Sequence, residues 1–336
     1  MIQKLFISLL YRFKGFRKFY FSKSAHIFLF HRVLPQNKRD EWGINKSLAI
    51  TPEALEELII KLKSWGYEFV SHDDLLRGCK GGKKQMIHFT FDDGYLDNLT
   101  HGLPVLEKHN VPVTIYITNC FPNKSAVYWW YDLENLVEKK SAILLSKVEG
   151  TDVEVKDKSK TFHYVRPIIK NKPYGFHKDF SEKVGLVSAD NRLALNDELN
   201  LTWEQIIELD KHPLIEIAAH TNSHVSVGQI NKDEAIREIK EGWLELEQKL
   251  ERKVNYFAYP YGGMEDTNKD LEPVLEGLGC KAAVLNYAGS VFKESLDSPL
   301  YIPRFGWTDE KSEVDLIDFL SSKKHLNNFG LKKRVS

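Results

Sequence analysis

Cysteine is scarce: the 336 residues contain only Cys79, Cys120 and Cys280. They are widely spaced, odd in number and without a C-x-x-C pair. That excludes a disulfide framework and a cysteine zinc knuckle, and it fits a reducing compartment. Net charge is missing too, since 47 Lys+Arg balance 47 Asp+Glu. No global attraction to nucleic acid is expected from such a balance. No apolar run approaches the ~20 residues that span a bilayer, and no internal repeat or low-complexity tract breaks the chain. What is present is 42% hydrophobic residues and mixed charge over a length that suits one large α/β domain or two small ones.

Residues 1–24 are a local exception. They carry Lys4, Arg12, Lys14, Arg17, Lys18 and Lys23 without an acid, among many Phe, Leu and Tyr. No small-residue cleavage site follows, so a secretory leader is not expected. A basic, aromatic, amphipathic segment either lies flat on an anionic membrane surface or packs on the body with a solvated basic face. The expected location is cytoplasmic, with peripheral contact at the inner face of the membrane if the first of these holds.

From about residue 25 to 320, short apolar runs alternate with amphipathic helical stretches, the pattern of βα units around a parallel sheet. The runs lie at 26–30, 67–70, 86–91, 113–118, 214–219, 255–258, 282–285 and 301–302. Their near-continuous apolar character marks strands buried on both faces. Helix starts are legible at Thr51-Pro52, at the capping-box patterns Thr202-Trp-Glu-Gln205 and Asn231-Lys-Asp-Glu234, and along a 233–251 helix with an Ile236, Ile239, Trp243, Leu246, Leu250 stripe. The stretch from about 121 to 200 breaks this rhythm and reads as an insertion, a hairpin around Gly150 and helices that cover the site. Its Trp129 and Trp130 either stack on sugar rings or pack beneath the insertion. Residues 321–336 form a basic tail.

Chemistry-bearing residues fall at the ends of the runs, where parallel α/β barrels place their active sites. His31 follows the first, Asp92-Asp93 follow Met86–Phe91, His220-Thr-Asn-Ser-His224 follow 214–219, and Tyr259-Pro-Tyr-Gly262 follow 255–258. Arg304 follows the last. Adjacent carboxylates repel each other and serve no folding need. One Asp with His220 and His224 makes a mixed N/O site with open positions, suited to Zn²⁺ and less specifically to Co²⁺, Ni²⁺ or Fe²⁺, and it leaves the other Asp as a base. Iron(II) oxygenases also use two His and a carboxylate, but that chemistry leaves the second Asp and the Tyr259-Pro-Tyr261 loop without a role.

Thr90-Phe-Asp-Asp-Gly-Tyr95, His220-Thr-Asn-Ser-His224 and Phe257-Ala-Tyr-Pro-Tyr-Gly262 together resemble the leading motifs of the polysaccharide deacetylases, the NodB-homology family or carbohydrate esterase family 4. The resemblance implies a distorted, incomplete (β/α) barrel. It also implies a hydrolase that removes the N-acetyl group from an amino sugar in a polysaccharide or lipid-linked glycan. By it, Asp93, His220 and His224 hold the metal, Asp92 is the general base, and the backbone N–H of Tyr261 holds the oxyanion. Two departures stand out. Ala258 occupies the place of an Arg that orients the base, for which Arg304 is the candidate substitute. The usual late motif supplying the general acid has no match, His325 lying in the basic tail. Leu29-Phe-His-Arg-Val33 instead resembles the Y-H-x-V motif of the poly-N-acetylglucosamine deacetylase subgroup and makes His31 the candidate acid. Deacylation of a small non-polymeric amide, or a catalytically degenerate carbohydrate-binding homologue, are the alternatives.

Overall fold

The computed structural model of the chain describes residues 25–39, 43–82, 85–139, 157–184 and 189–320. The 1–24 segment, the 148–155 run expected as a hairpin, and the 321–336 tail with His325 lie outside the described residues. Among the described residues no helix is long and apolar enough to cross a membrane.

One 8-stranded sheet dominates. Its strands are β1 (His26–Phe30), β2 (Glu68–Phe69), β3 (Met86–Phe91), β4 (Val113–Ile117), β5 (Ile215–Ala219), β6 (Tyr256–Ala258), β7 (Ala282–Val284) and β8 (Phe305–Gly306). They run in the order β8-β1-β3-β4-β5-β6-β7, with β2 added to the start of β3, and every pairing is parallel. Parallel neighbours need long crossovers, which is why helices separate most strands in the chain. They include α1 (Pro52–Ser64), α2 (Trp129–Glu138), α3 (Lys158–Lys170), α4 (Trp203–Asp210) and α5 (Lys232–Leu250). Thr51 caps α1 through the Ala54 N–H, and the Thr202–Gln205 capping box of α4 is formed in both directions. Asn231 caps α5 by accepting from the Asp233 N–H. The box expected with Glu234 is thus an Asn cap to the second helical residue.

The sheet curls until its two edges meet on one short segment. Ile302 bridges Val284 of β7, with Leu285 N–H to Ile302 O and Ile302 N–H to Ala283 O both 2.9 Å. Three residues later Phe305 pairs with Phe28 of β1. The expectation of a strand at 301–302 is corrected here. Pro299–Tyr301 is a 3₁₀ turn, Ile302 makes a single bridge, and the last strand is Phe305–Gly306. Pro303 lacks the N–H that would continue a ladder, so Arg304 sits between bridge and strand, not beyond the final strand. The result is the parallel sheet of βα units expected from the sequence pattern, closed as the distorted, incomplete (β/α) barrel that the resemblance implied.

Side-chain alternation divides the core. Phe28, Phe89, Ile115, Ile217 and Phe257 face outward against the helices, with Trp243 of α5 fully buried among them. Ile27, Met86, Tyr116, Ala218, Ala258 and Ile302 fill the barrel interior. Each fully buried aromatic or aliphatic side chain stabilises the fold by roughly 1.5–3 kcal/mol. A separate apolar cluster joins Trp129, Leu133, Phe162, Val165 and Ile169 of the helices between β4 and β5. It packs them beside Tyr95 over the C-terminal rim of the sheet.

Candidate active site

The period of two that fills the barrel also aims the chemistry. Met86, His88 and Thr90 alternate inward along β3, so the next inward position, just past the strand end, is Asp92. The same parity carries β5 from Ala218 to His220 and the closing segment from Ile302 to Arg304. Asp93 is out of phase. Its φ of +80° turns the chain back so that its carboxylate also reaches the rim, and Thr221, His224 and Tyr261 are likewise left-handed at +67°, +57° and +63°. Such backbone is unfavourable for residues with a side chain and persists where surrounding structure enforces it.

The enforcement around His220–His224 is visible. Thr118 Oγ1 donates to His220 O, the Asn119 and Cys120 N–H groups donate to Thr221 O and Asn222 O, and the Thr221 hydroxyl accepts from the His224 N–H. From the other side the loop rests on α5. The Asn222 N–H donates to Glu238 O, and the Ser223 N–H and hydroxyl donate to the Glu238 carboxylate. Burial pushes the Glu238 pKa up although both Ser223 bonds oppose it. Gly242 lies under the loop. A Cβ there would meet Thr221 C at 2.5 Å and Asn222 N at 2.6 Å, so only glycine lets the helix come this close.

Asp93, His220 and His224 converge. Asp93 Oδ1 lies 3.1 Å from His224 Nε2 and 3.4 Å from His220 Nε2, and the possible ligand atoms of the three all fall within 4.8 Å of one another. His220 Nδ1 lies 2.8 Å from Ala258 O. A carbonyl only accepts, so that nitrogen carries the proton and Nε2 presents its lone pair toward Asp93. Asp93 Oδ1 and His224 Nδ1 are buried and find no hydrogen-bond partner among the described residues. Burial acts to raise the Asp93 pKa, but His224 and His220 more than offset it and hold the carboxyl well below its ordinary range. A pre-aimed imidazole, a second imidazole and a carboxylate oxygen without a donor are the donor set of a zinc-type site, and the residues fit a divalent ion.

Asp92 is held differently. Arg304, wholly buried, donates from Nη1 and Nη2 to the two Asp92 oxygens at 2.6 and 2.7 Å. It also donates to Thr90 Oγ1 at 3.0 Å and from Nε to Leu285 O at 3.0 Å, and it lies over the Tyr116 ring. Burial would raise the Asp92 pKa, yet Arg304, then His220, brings it below the usual carboxylate value. Asp92 Oδ2 is 3.9 Å from His220 Nε2, so the carboxylate stands beside the triad, aimed by a fork.

A cavity of about 550 Å³ opens above these groups, lined by His31, Asp92, Asp93, His220, His224 and Tyr261 among others. Arg304 lies behind Asp92, outside the lining. The His31 pKa is lowered by burial, with Asp93 and Asp92 acting against the drop. The far walls are α2, α3 and the 43–48 loop, which Asn45 ties to α2 through both Glu134 oxygens. Trp129 and Trp130 are both buried, at 1% and 8% exposure, and still contribute to this wall. Trp129 Nε1 donates to Tyr261 Oη, which donates to His224 O.

A family profile described as polysaccharide deacetylase matches residues 80–283, more than half of the chain. The chain belongs to the polysaccharide deacetylase family. It is a sugar N-deacetylase, a hydrolase. No curated protein matches it significantly. Among solved structures, the Streptococcus pyogenes deacetylase PplD in complex with acetate is 17% identical with TM-score 0.55, the match covering 89% of this chain and 97% of that one. IcaB from Ammonifex degensii gives 18% identity and TM-score 0.54 over 89% and 98%. A de-N-acetylase from Aggregatibacter actinomycetemcomitans gives 16% and 0.56 over 88% and 99%. At these identities the neighbours speak for the fold of the deacetylase.

Several groups that build the deacetylase site escaped the sequence. Thr90 was read as a strand residue and the first of the Thr90–Tyr95 motif but given no role, although its hydroxyl links Arg304 to Phe28 O. Parity from Asp92 would have found it. The Ala258 carbonyl, which sets the His220 tautomer, and Gly242 have no signal in one sequence, because both act through backbone. Arg166, half-buried in α3, gave none either.

Proposed function

We propose that this deacetylase removes the N-acetyl group from an N-acetylated amino sugar of a polysaccharide or lipid-linked glycan, with a divalent ion, most simply Zn²⁺, held by Asp93, His220 and His224. The observation that carries this reading is the neighbouring pair of carboxylates with opposite partners, Asp93 against two imidazoles and Asp92 against the Arg304 fork. Bound there, the ion would polarise the acetyl carbonyl and acidify water. Asp92, ionised and held off the triad by Arg304, takes a proton from the attacking water. The Tyr261 backbone N–H donates to the oxyanion of the tetrahedral carbon, a contribution worth ~10²–10³ in rate for such donors. His31 faces the same cavity and supplies the proton that the leaving nitrogen needs. A 550 Å³ cavity walled by α2, α3 and the 43–48 loop falls within the small-ligand range of about 300–1,000 Å³. That favours a sugar presented as a terminus or short lipid-linked unit over one midway along a threaded polymer.

Acetate release from N-acetylglucosamine oligosaccharides, measured with metal content on the same samples, tests the assignment. Asp93→Ala and His220→Ala are expected to empty the site, Asp92→Asn to keep the ion while losing at least ~10²-fold in rate, and His31→Ala to slow turnover with the ion retained. Full metal occupancy in the first two, or normal turnover by Asp92→Asn, would falsify it.

A further inference from the structure

Arg166 projects from α3 into the cavity wall. Its guanidinium carbon lies 5.7 Å from the Tyr261 ring centre, and that ring lies 4.7 Å from the His224 ring. The charges around the cavity are otherwise spoken for. Asp92 is paired with Arg304, Glu138 with Lys158, and Glu310 with Lys46 at 3.6 Å, while Asp93 faces the histidines. Arg166 has no carboxylate or hydrogen-bond acceptor among the described residues. Among those residues it is a cation held at the cavity wall by ring contact alone, its planar N–H fork uncommitted to any of them, and such a fork matches a phosphate or carboxylate through two parallel hydrogen bonds.

Resting on the deacetylase reading above, we infer that Arg166 is a specificity-determining residue. The sugar that enters this cavity carries an anionic oxygen group, phosphate or carboxylate, one aromatic ring away from the metal triad. That group sits on the acetylated sugar or on the unit bonded to it. Tyr261 then separates the two functions, its backbone turned to the reacting carbonyl and its ring backing the cation that grips the anion.

The test uses the full chain, and three probes that share the acetamido sugar: the neutral methyl glycoside of N-acetylglucosamine, N-acetylglucosamine 1-phosphate, and N-acetylmuramic acid. Binding is read by calorimetry, which does not depend on turnover, and acetate release is followed in parallel. At least one anionic probe is expected to bind about tenfold or more tightly than the neutral one, as a charge-assisted pair would give. Phosphate and carboxylate are told apart by which probe gains. Arg166→Gln is expected to bring the ratio close to one, and Arg166→Lys, which keeps the charge but not the fork, to restore part of it. Equal binding of neutral and anionic probes by the native chain overturns the inference. So do equal losses on all probes in Arg166→Gln, which would mean that the guanidinium only supports Tyr261. Absence of acetate release alongside preferential anion binding would instead count against the deacetylase reading.

Discussion

Asp92 and Arg304 illustrate how much one buried pair decides. Both side chains are nearly inaccessible, at 4% and 0% exposure, and their two short hydrogen bonds are bidentate. A charge so placed is tolerated only with its partner, and removing one member of such a pair costs about 3–5 kcal/mol. Arg304→Met is therefore expected to lower the unfolding free energy by that amount in urea titrations, and Asp92→Asn combined with it to recover a large part. Arg304→Lys keeps the charge but not the fork, so the structure should survive while the carboxylate loses its aim. Deacetylation is expected to fall about 10–100-fold with bound metal unchanged, and loss of metal in that variant would place Arg304 in ion binding instead. The pair was half legible in the sequence. Asp92 announced itself as a carboxylate beside another at a strand end, and Ala258 marked where an arginine was missing. That the guanidinium comes from the residue after Pro303 followed from strand-end position, although the strand itself lies on the other side of Arg304.

At the scale of elements, the His220–His224 loop is shaped less by its own residues than by α5 beneath it. Gly242 lies within a helix of 19 residues, where glycine ordinarily weakens the helix by roughly 1 kcal/mol relative to alanine. Its retention makes sense through the 2.5 Å approach of Thr221 that a Cβ would face. Propensity and packing thus predict opposite signs for Gly242→Ala, and backbone overlap of this size decides between them. The variant is expected to be destabilised by about 1–3 kcal/mol and to bind zinc more weakly in chelator competition, since the displaced backbone carries His220 and His224. A gain in melting temperature with native zinc affinity would show that the helix simply slides. The sequence revealed α5 by its Ile239, Trp243, Leu246 stripe, yet it could not reveal why Gly242 interrupts it. A hydrophobic period reports which face is buried, not how close the buried face comes to a neighbouring backbone. For the same reason every strand but the last was placed to within a residue or two, while the last strand at Phe305–Gly306 and the edge-to-edge closure at Ile302 and Phe305 were not foreseen.

The whole molecule inherits an acid sensitivity from histidines buried in three places: His88 inside the barrel, His26 on the helix-facing side of β1, and His177 on the helix Tyr174–Val184 beside Trp129. His26, His88 and His177 are buried as neutral rings, with burial lowering their pKa to about 3, about 4 and about 4. His88 spans the interior between Val70 O and Thr114 Oγ1, each 2.9 Å from a ring nitrogen. In the unfolded chain these rings take up protons near pH 6.5, whereas in the folded chain they do so only near 3 to 4. Below the unfolded value, therefore, the unfolded state binds more protons, and stability is lost as pH falls from about 6.5 toward 4 and levels off beneath. By pH 5 each of these histidines withdraws about 2 kcal/mol. Urea unfolding of the deacetylase is accordingly expected to give a steep fall in free energy between pH 7 and pH 5. His88→Gln, whose amide can replace both contacts without titrating, is expected to make that fall shallower by about 2 kcal/mol whatever it does to stability at pH 7. An unchanged pH slope in the variant would show that the interior histidine is already protonated in the folded barrel, which its burial and the nearby Arg304 guanidinium argue against.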